Sequence, residues 1–128
     1  MRGRHFLVAL IAATTTVSAA GACSRTNEAA GEVAPASAIG LHVKNENFLD
    51  MDVYAVSDGL ATRLGTVTGN SSRNFVLDAT LAALDLRIVA TPIGGNGRAS
   101  SGVIAVSPGQ TVEFTIGSML RNSTVFIR

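Results

Sequence analysis

The sequence predicts an all-β domain over residues 39–128: a small immunoglobulin-like or transthyretin-like sandwich of seven to eight short antiparallel strands. Three observations predict it. Apolar and polar residues alternate with a period of two in one run after another, as in half-buried strands. Turn residues separate the runs at intervals of about 8 to 12 residues, and no segment shows an extended helical spacing. Two packed sheets bury the apolar face of every such strand, whereas a single open sheet would leave its apolar face exposed to water.

The elements follow from this alternation. The predicted strands cover residues 39–44, 51–56, 61–68, 73–77, 84–90, 103–106, 111–116 and 125–127. Between them, Asp58-Gly59 suits a tight hairpin because glycine tolerates a positive φ, and Pro108-Gly109 suits a type II turn. Asp78 is placed to cap a single helical turn over residues 79–83.

A different pattern occupies residues 1–22. Arg2 and Arg4 precede an apolar run over residues 6–13, and small residues follow up to Ala22. This order is typical of a helical export signal that is removed. Threonines at 14–16 end the apolar run after about eight residues, whereas a membrane-spanning helix needs about 20.

The only cysteine, Cys23, follows this leader directly, in the sequence Ala20-Gly21-Ala22-Cys23. These residues resemble the lipobox of bacterial lipoproteins. The resemblance implies cleavage before Cys23, a diacylglyceryl group on its sulfur and acylation of the new amine. Two or more acyl chains hold a protein stably at a membrane. The expected location is therefore the cell envelope, periplasmic or on the outer surface, with the membrane bound through lipid on Cys23.

An alternative remains open at the same bond. Ala20 and Ala22 also form the small-x-small pattern of an ordinary signal peptidase site. That enzyme would release a soluble secreted protein, an inhibitor or an adhesin component, whose lone thiol would be prone to oxidation or intermolecular pairing.

Residues 24–38 are rich in Ala, Ser, Gly and Glu and offer little to bury, which predicts a disordered tether. A flexible coil of this length has a root-mean-square reach on the order of 20 Å. The predicted organisation is thus a signal peptide over 1–22, the lipidated Cys23 with its tether over 23–38, and a sandwich over 39–128.

Charge gives little support for a nucleic-acid partner. Arg2 and Arg4 are two of the ten Lys and Arg residues, so the chain from Cys23 onward carries eight cations against nine Asp and Glu. The cations are dispersed and form no basic stripe for a phosphate backbone. Nucleic acid is therefore not an expected partner.

Acidic and amide side chains cluster between the first two predicted strands. Glu46, Asp50 and Asp52 are a weak candidate site for a hard cation such as calcium, which prefers oxygen ligands. The spacing does not match the 12-residue calcium loop, and Asn and Asp also satisfy the backbone of ordinary loops. We expect no metal or other cofactor.

Catalytic chemistry is equally sparse. His42 is the only histidine after the leader, and a hydrolase would need it beside an acid and a nucleophile. We expect an exposed strand histidine, no catalytic residues and no enzyme. The sequence favours a non-catalytic binding or structural module that contacts an envelope protein or polymer. If part of the surface recognises a partner, the loops at 45–50 and 93–101 are the first candidates, with both loops as plain connectors the alternative. An exposed strand edge could also add a strand from a partner.

Overall fold

The computed structural model describes residues 37–83 and 85–128. The predicted signal peptide, Cys23 and the tether as far as residue 36 lie outside these residues. Ala38, expected to end the tether, already belongs to the sandwich: it is buried, and its carbonyl accepts a hydrogen bond from Gly109 N at 2.7 Å.

The described chain forms eight strands and two 3₁₀ helices. The strands are β1 (Ile39–Asn45), β2 (Met51–Ser57), β3 (Leu60–Val67), β4 (Ser72–Leu77), β5 (Arg87–Pro92), β6 (Ala99–Ser100), β7 (Thr111–Ile116) and β8 (Thr124–Ile127). The 3₁₀ helices are Ala79–Ala83 and Leu120–Asn122. Two four-stranded sheets result, sheet A with the order β4-β1-β7-β8 and sheet B with the order β3-β2-β5-β6. The predicted small β-sandwich is confirmed.

One pairing differs from the antiparallel prediction. β1 and β7 run parallel, so that Leu41 lies opposite Val112 and Val43 opposite Phe114. Parallel neighbours need a long crossover connection, and the five strands between β1 and β7 provide it, by way of sheet B. Period-two alternation shows which face of a strand is buried but carries no information on strand direction.

The core lies between the sheets and comes from the inward positions of that alternation. Ile39, Leu41 and Val43 of β1 are buried, while Gly40, His42 and Lys44 between them face outward. The largest fully buried side chain is Phe114, in the middle of sheet A. Each fully buried large apolar side chain contributes about 1.5–3 kcal/mol relative to its exposed state.

The predicted turns are confirmed. Asp58 and Gly59 have φ values of 50° and 77°, as a tight β2–β3 hairpin requires. Gly109 has a φ of 85°, and Gln110 N donates to Ser107 O at 3.1 Å across the Pro108-Gly109 turn. Asp78 starts the first 3₁₀ helix by accepting a hydrogen bond from Thr80 N at 2.8 Å.

The prediction of a strand over residues 103–106 was wrong. Here Ile104 makes only a single bridge, to Leu86, and the sixth strand is the two-residue β6. The reason lies at Ser101, whose hydroxyl accepts a hydrogen bond from Ile88 N at 2.9 Å in place of a backbone carbonyl. Gly102 then turns the chain with a φ of 71°. The ladder beside β5 is therefore interrupted.

Candidate functional site

Four connections meet at one end of the sandwich. β1 runs toward this end and β2 leaves it, β3 and β4 are joined there, and so are β5 with β6 and β7 with β8. We call this end the loop tip; it comprises residues 46–50, 68–71, 93–98 and 117–123. The opposite end, where the chain enters β1 at Ile39, is called the base.

Two buried asparagines fix the backbone of the loop tip. The amide nitrogen of Asn45 lies 2.8 Å from Leu49 O, 3.1 Å from Thr68 O and 3.3 Å from Val67 O. Its amide oxygen accepts from Asn47 N at 3.0 Å. Asn45 thus ties the β1–β2 loop to the end of β3.

Asn47 extends this network in the other direction. Its amide oxygen accepts from Leu49 N at 3.0 Å, and its amide nitrogen donates to Ser118 O at 2.8 Å. The β1–β2 loop is therefore attached to the β7–β8 loop. Asn45 and Asn47 are both buried, so water has little access to their side-chain amides.

The β3–β4 loop packs directly on Phe48. A Cβ atom at Gly69 would lie 2.2 Å from Phe48 O, a separation that no side chain can occupy. Gly69 N donates to an Asp50 carboxylate oxygen at 2.9 Å, and Asn70 N donates to Asn47 O at 2.9 Å. Glycine at 69 is thus required by a close approach of two backbones.

The β5–β6 loop joins the same assembly. Ile93 N donates to Asp50 O at 2.8 Å, and a Cβ atom at Gly95 would lie 3.0 Å from Leu49 Cδ1. The two segments predicted as a recognition surface, 45–50 and 93–101, therefore meet in the structure.

Apolar side chains project from this fixed backbone. Phe48 is 78% exposed, Met119 55% and Ile93 50%, and they come from three different loops. Arg121 donates to the Met119 sulfur at 3.5 Å. A comparably exposed residue, Leu60 at 73%, lies at the base beside the β2–β3 turn.

The three carboxylates of the weak cation candidate do not share a site. Glu46 pairs with Lys44 at 2.8 Å, and Asp50 accepts from Gly69 N. Asp52 lies on β2 with Arg63 at 2.8 Å and the Thr66 hydroxyl at 2.6 Å. Within residues 37–83 and 85–128, no three His, Cys, Asp or Glu side chains are grouped as metal ligands.

These contacts also shift the pKa of Asp52. The hydrogen bond from the Arg63 guanidinium, followed by that from the Thr66 hydroxyl, lowers the pKa of Asp52 below its ordinary value. Asp52 therefore carries its negative charge throughout the neutral range, as part of an ion pair on the outer face of sheet B.

His42 lies on the outer face of sheet A, half-buried. Its Nδ1 shares a hydrogen bond with the amide oxygen of Asn74, the residue directly opposite on β4. On its other side lies Glu113 of β7, whose carboxylate pairs with Arg128 at 3.0 Å. The group that contacts His42 is thus an amide, and not the carboxylate that orients the histidine of a catalytic triad.

Cys23, the predicted lipidation site, lies outside the described residues. Among the described residues, no helix combines the length and apolar character that crossing a bilayer requires.

Comparisons with known proteins give no family for this chain and only distant structural similarity. No known protein family matches the chain, and no curated protein matches it either. A protein from Eubacterium rectale solved by NMR is similar over 71% of this chain and 88% of its own length, with 15% identity and a TM-score of 0.47. A crystal structure of a Gram-negative toxin is similar over 71% of this chain and 23% of its own length, with 15% identity and a TM-score of 0.38.

Part of the loop tip has no clear sequence signal. Asn45 and Asn47 belong to an oxygen-rich loop, whose side chains can either ligate a cation or form hydrogen bonds with the backbone. In the structure both asparagines bond to the backbone. Phe48 and Met119 each precede a leucine, Leu49 and Leu120. An apolar pair in a loop does not show by itself which of its two side chains packs against the core, and here the leucines do. One sequence feature does indicate that Phe48 is exposed. It lies between the predicted strands 39–44 and 51–56, where no strand alternation directs a side chain into the core.

Proposed function

We propose that this chain is a cell-envelope lipoprotein whose sandwich is a non-catalytic binding module, with the loop tip as its contact surface. The membrane would be bound through acyl chains on Cys23, and the tether would connect that anchor to the base. The partner we infer for the tip is a protein of the envelope.

The anchor rests on the sequence of the first 23 residues. Basic, apolar and small residues precede Cys23 in the order of an export signal, and Ala20-Gly21-Ala22-Cys23 resembles a lipobox. Lipidation also accounts for a solitary cysteine in an exported chain, because a thioether sulfur has no thiol left to form a disulfide between molecules.

The direction of β1 supports the role of the tip. The chain enters the sandwich at the base, and β1 runs seven residues before it reaches the β1–β2 loop. Seven residues of strand span about 20 Å. A domain attached through its base therefore carries Phe48 at the end farthest from the point of attachment.

The single observation that carries the proposal is the combination of exposure and fixation at Phe48. Its side chain is 78% exposed, yet its backbone is held by Gly69 on one side and by the Asn45 and Asn47 network on the other. A fixed backbone reduces the entropy lost on binding. Aromatic residues and methionine are enriched in protein–protein interfaces.

The chemistry of these side chains favours a protein over a glycan. Phe48, Ile93 and Met119 present hydrocarbon and sulfur, whereas a sugar polymer needs several hydrogen-bond donors and acceptors to replace its water. The surroundings of His42 support the non-catalytic part of the proposal, because its ring contacts the Asn74 amide.

In-cell photo-crosslinking tests the proposal. Benzoylphenylalanine replaces Phe48 in one full-length variant and Leu60 in the other, so that two similarly exposed positions at opposite ends are compared. We expect irradiation to give a discrete adduct with one envelope protein from position 48 and none with that protein from position 60.

A second comparison distinguishes binding by the whole loop tip from binding at Phe48 alone. Ile93→Ser and Met119→Ser, introduced together beside the position-48 probe, should remove the adduct if the partner contacts all three loops, which hydrogen bonds connect. The proposal fails if positions 48 and 60 give the same adducts, if neither gives one, or if the double substitution leaves the adduct unchanged.

A further inference from the structure

Within residues 37–83 and 85–128, β8 is an outer strand of sheet A, and the backbone groups that it does not bond to β7 can be assigned. Thr111 and Arg128 exchange both backbone hydrogen bonds, each at 2.9 Å. In an antiparallel pair such residues alternate with residues whose N–H and C=O point away. Phe126 and Thr124 therefore bond to β7, while the backbone groups of Val125 and Ile127 face outward.

The other three sheet edges carry features that oppose further pairing. β3 has a bulge, where the register shifts between Val53 and Tyr54 and Gly65 has a φ of 153°. β4 points Arg73 toward the space between the sheets, where it stacks on Phe75 and donates to Thr66 O at 3.0 Å. β6 is only two residues long. Bulges, inward charges and short strands are the ways in which natural sheets protect their edges.

β8 has none of these features. Its register with β7 is continuous from Val112 opposite Ile127 to Thr115 opposite Thr124. The strand Thr124–Ile127 holds no charged residue and no proline, and its residues are β-branched or aromatic. Phe126 lies on the outer face and is 62% exposed. Such an edge is suited to pairing with another strand.

We propose that β8 pairs antiparallel with β8 of a second copy of this chain, about a two-fold axis that passes by Phe126. Val125 then exchanges backbone bonds with Ile127 of the second copy, and Ile127 with Val125. The two Phe126 side chains lie directly opposite each other. Thr124 lies opposite Arg128 of the second copy, and the two sheets A become one eight-stranded sheet.

The segment complements itself in this register. An aromatic pair directly across two strands is favourable, and no like charges face each other. Val125 and Ile127 each lie one residue from the two-fold axis. The outward N–H and C=O groups of Val125 in one copy therefore lie opposite those of Ile127 in the other copy. The chain from Cys23 onward carries eight cations and nine anions, so net charge does not oppose association.

The expected dimer is weak, and it has a defined geometry. A four-residue edge buries less than the roughly 1,200 Å² of a standard stable interface, so the test must trap the pairing. Since the strands pair antiparallel, the loop tips of the two copies point in opposite directions. This inference uses only β8 and does not depend on the proposed function of the tip.

Disulfide trapping tests the register. In the full chain with Cys23→Ser, Phe126→Cys is the only thiol. Residues opposite each other in a non-hydrogen-bonded pair have Cα atoms about 4.5 Å apart, within the range that a disulfide spans. We expect copper-phenanthroline oxidation to convert Phe126→Cys into a covalent homodimer.

Thr124→Cys is the matched control on the same strand and the same face. In the proposed register the two copies of residue 124 lie about 13 Å apart along the strands, beyond disulfide reach. Thr124→Cys should therefore stay monomeric, while Thr124→Cys combined with Arg128→Cys should form covalent dimers. Unchanged far-UV circular dichroism establishes that each variant is folded.

The inference is overturned if folded Phe126→Cys stays monomeric. It is also overturned if Thr124→Cys crosslinks to the same extent, since that outcome indicates random collision, or if position 126 crosslinks to another protein in cells rather than to itself.

Discussion

Asn47 and Ser118, 71 residues apart in the sequence, are joined by a 2.8 Å hydrogen bond from the Asn47 amide to the Ser118 carbonyl. This bond links the first connection of the sandwich to the last. Together with the bonds of Asn45 to the end of β3, it makes the β1–β2 loop the centre of the loop tip. Two buried amides therefore contribute to the stability of that loop, together with Leu49, which packs against the core.

The first prediction concerns Asn45. Asn45→Ala leaves Asn47 N and the Leu49 carbonyl without their side-chain partner, and a buried polar group left unpaired costs about 1–3 kcal/mol. We expect the free energy of unfolding to fall by about 2–3 kcal/mol, measured by urea denaturation. Asn122→Ala, at an exposed position of the same tip, should change it by less than about 0.5 kcal/mol.

The second prediction concerns Gly69. In Gly69→Ala the new methyl carbon would lie 2.2 Å from Phe48 O, so one of the two loops must move. We expect faster amide hydrogen exchange at Asn70, whose N–H donates to Asn47 O, together with a loss of stability of about 2 kcal/mol or more.

Gly94→Ala serves as the control for Gly69→Ala. Gly94 has a φ of 75°, and no atom lies within 4 Å of the position that a methyl group would take there. Its substitution therefore costs only backbone strain, about 1 kcal/mol. Equal protection of Asn70 in both variants would show that the Gly69–Phe48 contact does not fix the tip.

The third prediction is a pH dependence at Asp52. The hydrogen bonds from Arg63 and Thr66 lower the pKa of Asp52 in the folded state. A carboxylate with a lowered folded pKa stabilises the fold above its unfolded pKa, about 3.9, and loses that contribution as the pH falls through the folded value. Asp52→Asn should therefore lower the melting temperature at pH 7, and the difference from the parent should shrink below about pH 4.

Asp85→Asn is the comparison for this measurement. Asp85 is exposed and forms no ion pair with a described residue, so its substitution should shift the melting temperature little at either pH. A difference for Asp52→Asn that stays constant from neutral pH to about pH 2.5, below the unfolded pKa of a carboxyl, would show that the charge of Asp52 is not what stabilises the pair.

The sandwich could be predicted from the sequence because β1, β2 and β7 alternate over a buried face. β1, β2 and β7 lie within a residue of their predicted bounds for this reason. The strand predicted at 103–106 does not form because the Ser101 hydroxyl replaces a backbone carbonyl as the acceptor for Ile88 N. The alternation of apolar and polar residues gives no sign of such a replacement. The parallel β1–β7 pairing was equally beyond a local pattern, because it depends on the path of five intervening strands.

The loop tip was partly predictable. The loops at 45–50 and 93–101 were the predicted recognition surface, and the structure brings these two segments together through the hydrogen bond from Ile93 N to Asp50 O. The sequence could not show that Ser118 contacts Asn47, because contacts between loops that are distant in the sequence depend on the topology of the strands. The carboxylates Glu46, Asp50 and Asp52 were grouped as a candidate cation site because they are close in the sequence. In the structure their side chains contact three different residues, Lys44, Gly69 and Arg63 respectively.

The central claim, a membrane-anchored sandwich, is tested most directly at Cys23. The measurement is the intact mass and N-terminal peptide of the full-length gene product purified from its own membranes, with a Cys23→Ser variant as control. We predict that the mature chain begins at Cys23 and carries a thioether-linked diacylglyceryl group, and that Cys23→Ser lacks this mass and leaves the membrane fraction. A mature chain recovered in the aqueous fraction with an unmodified Cys23 thiol would contradict the claim.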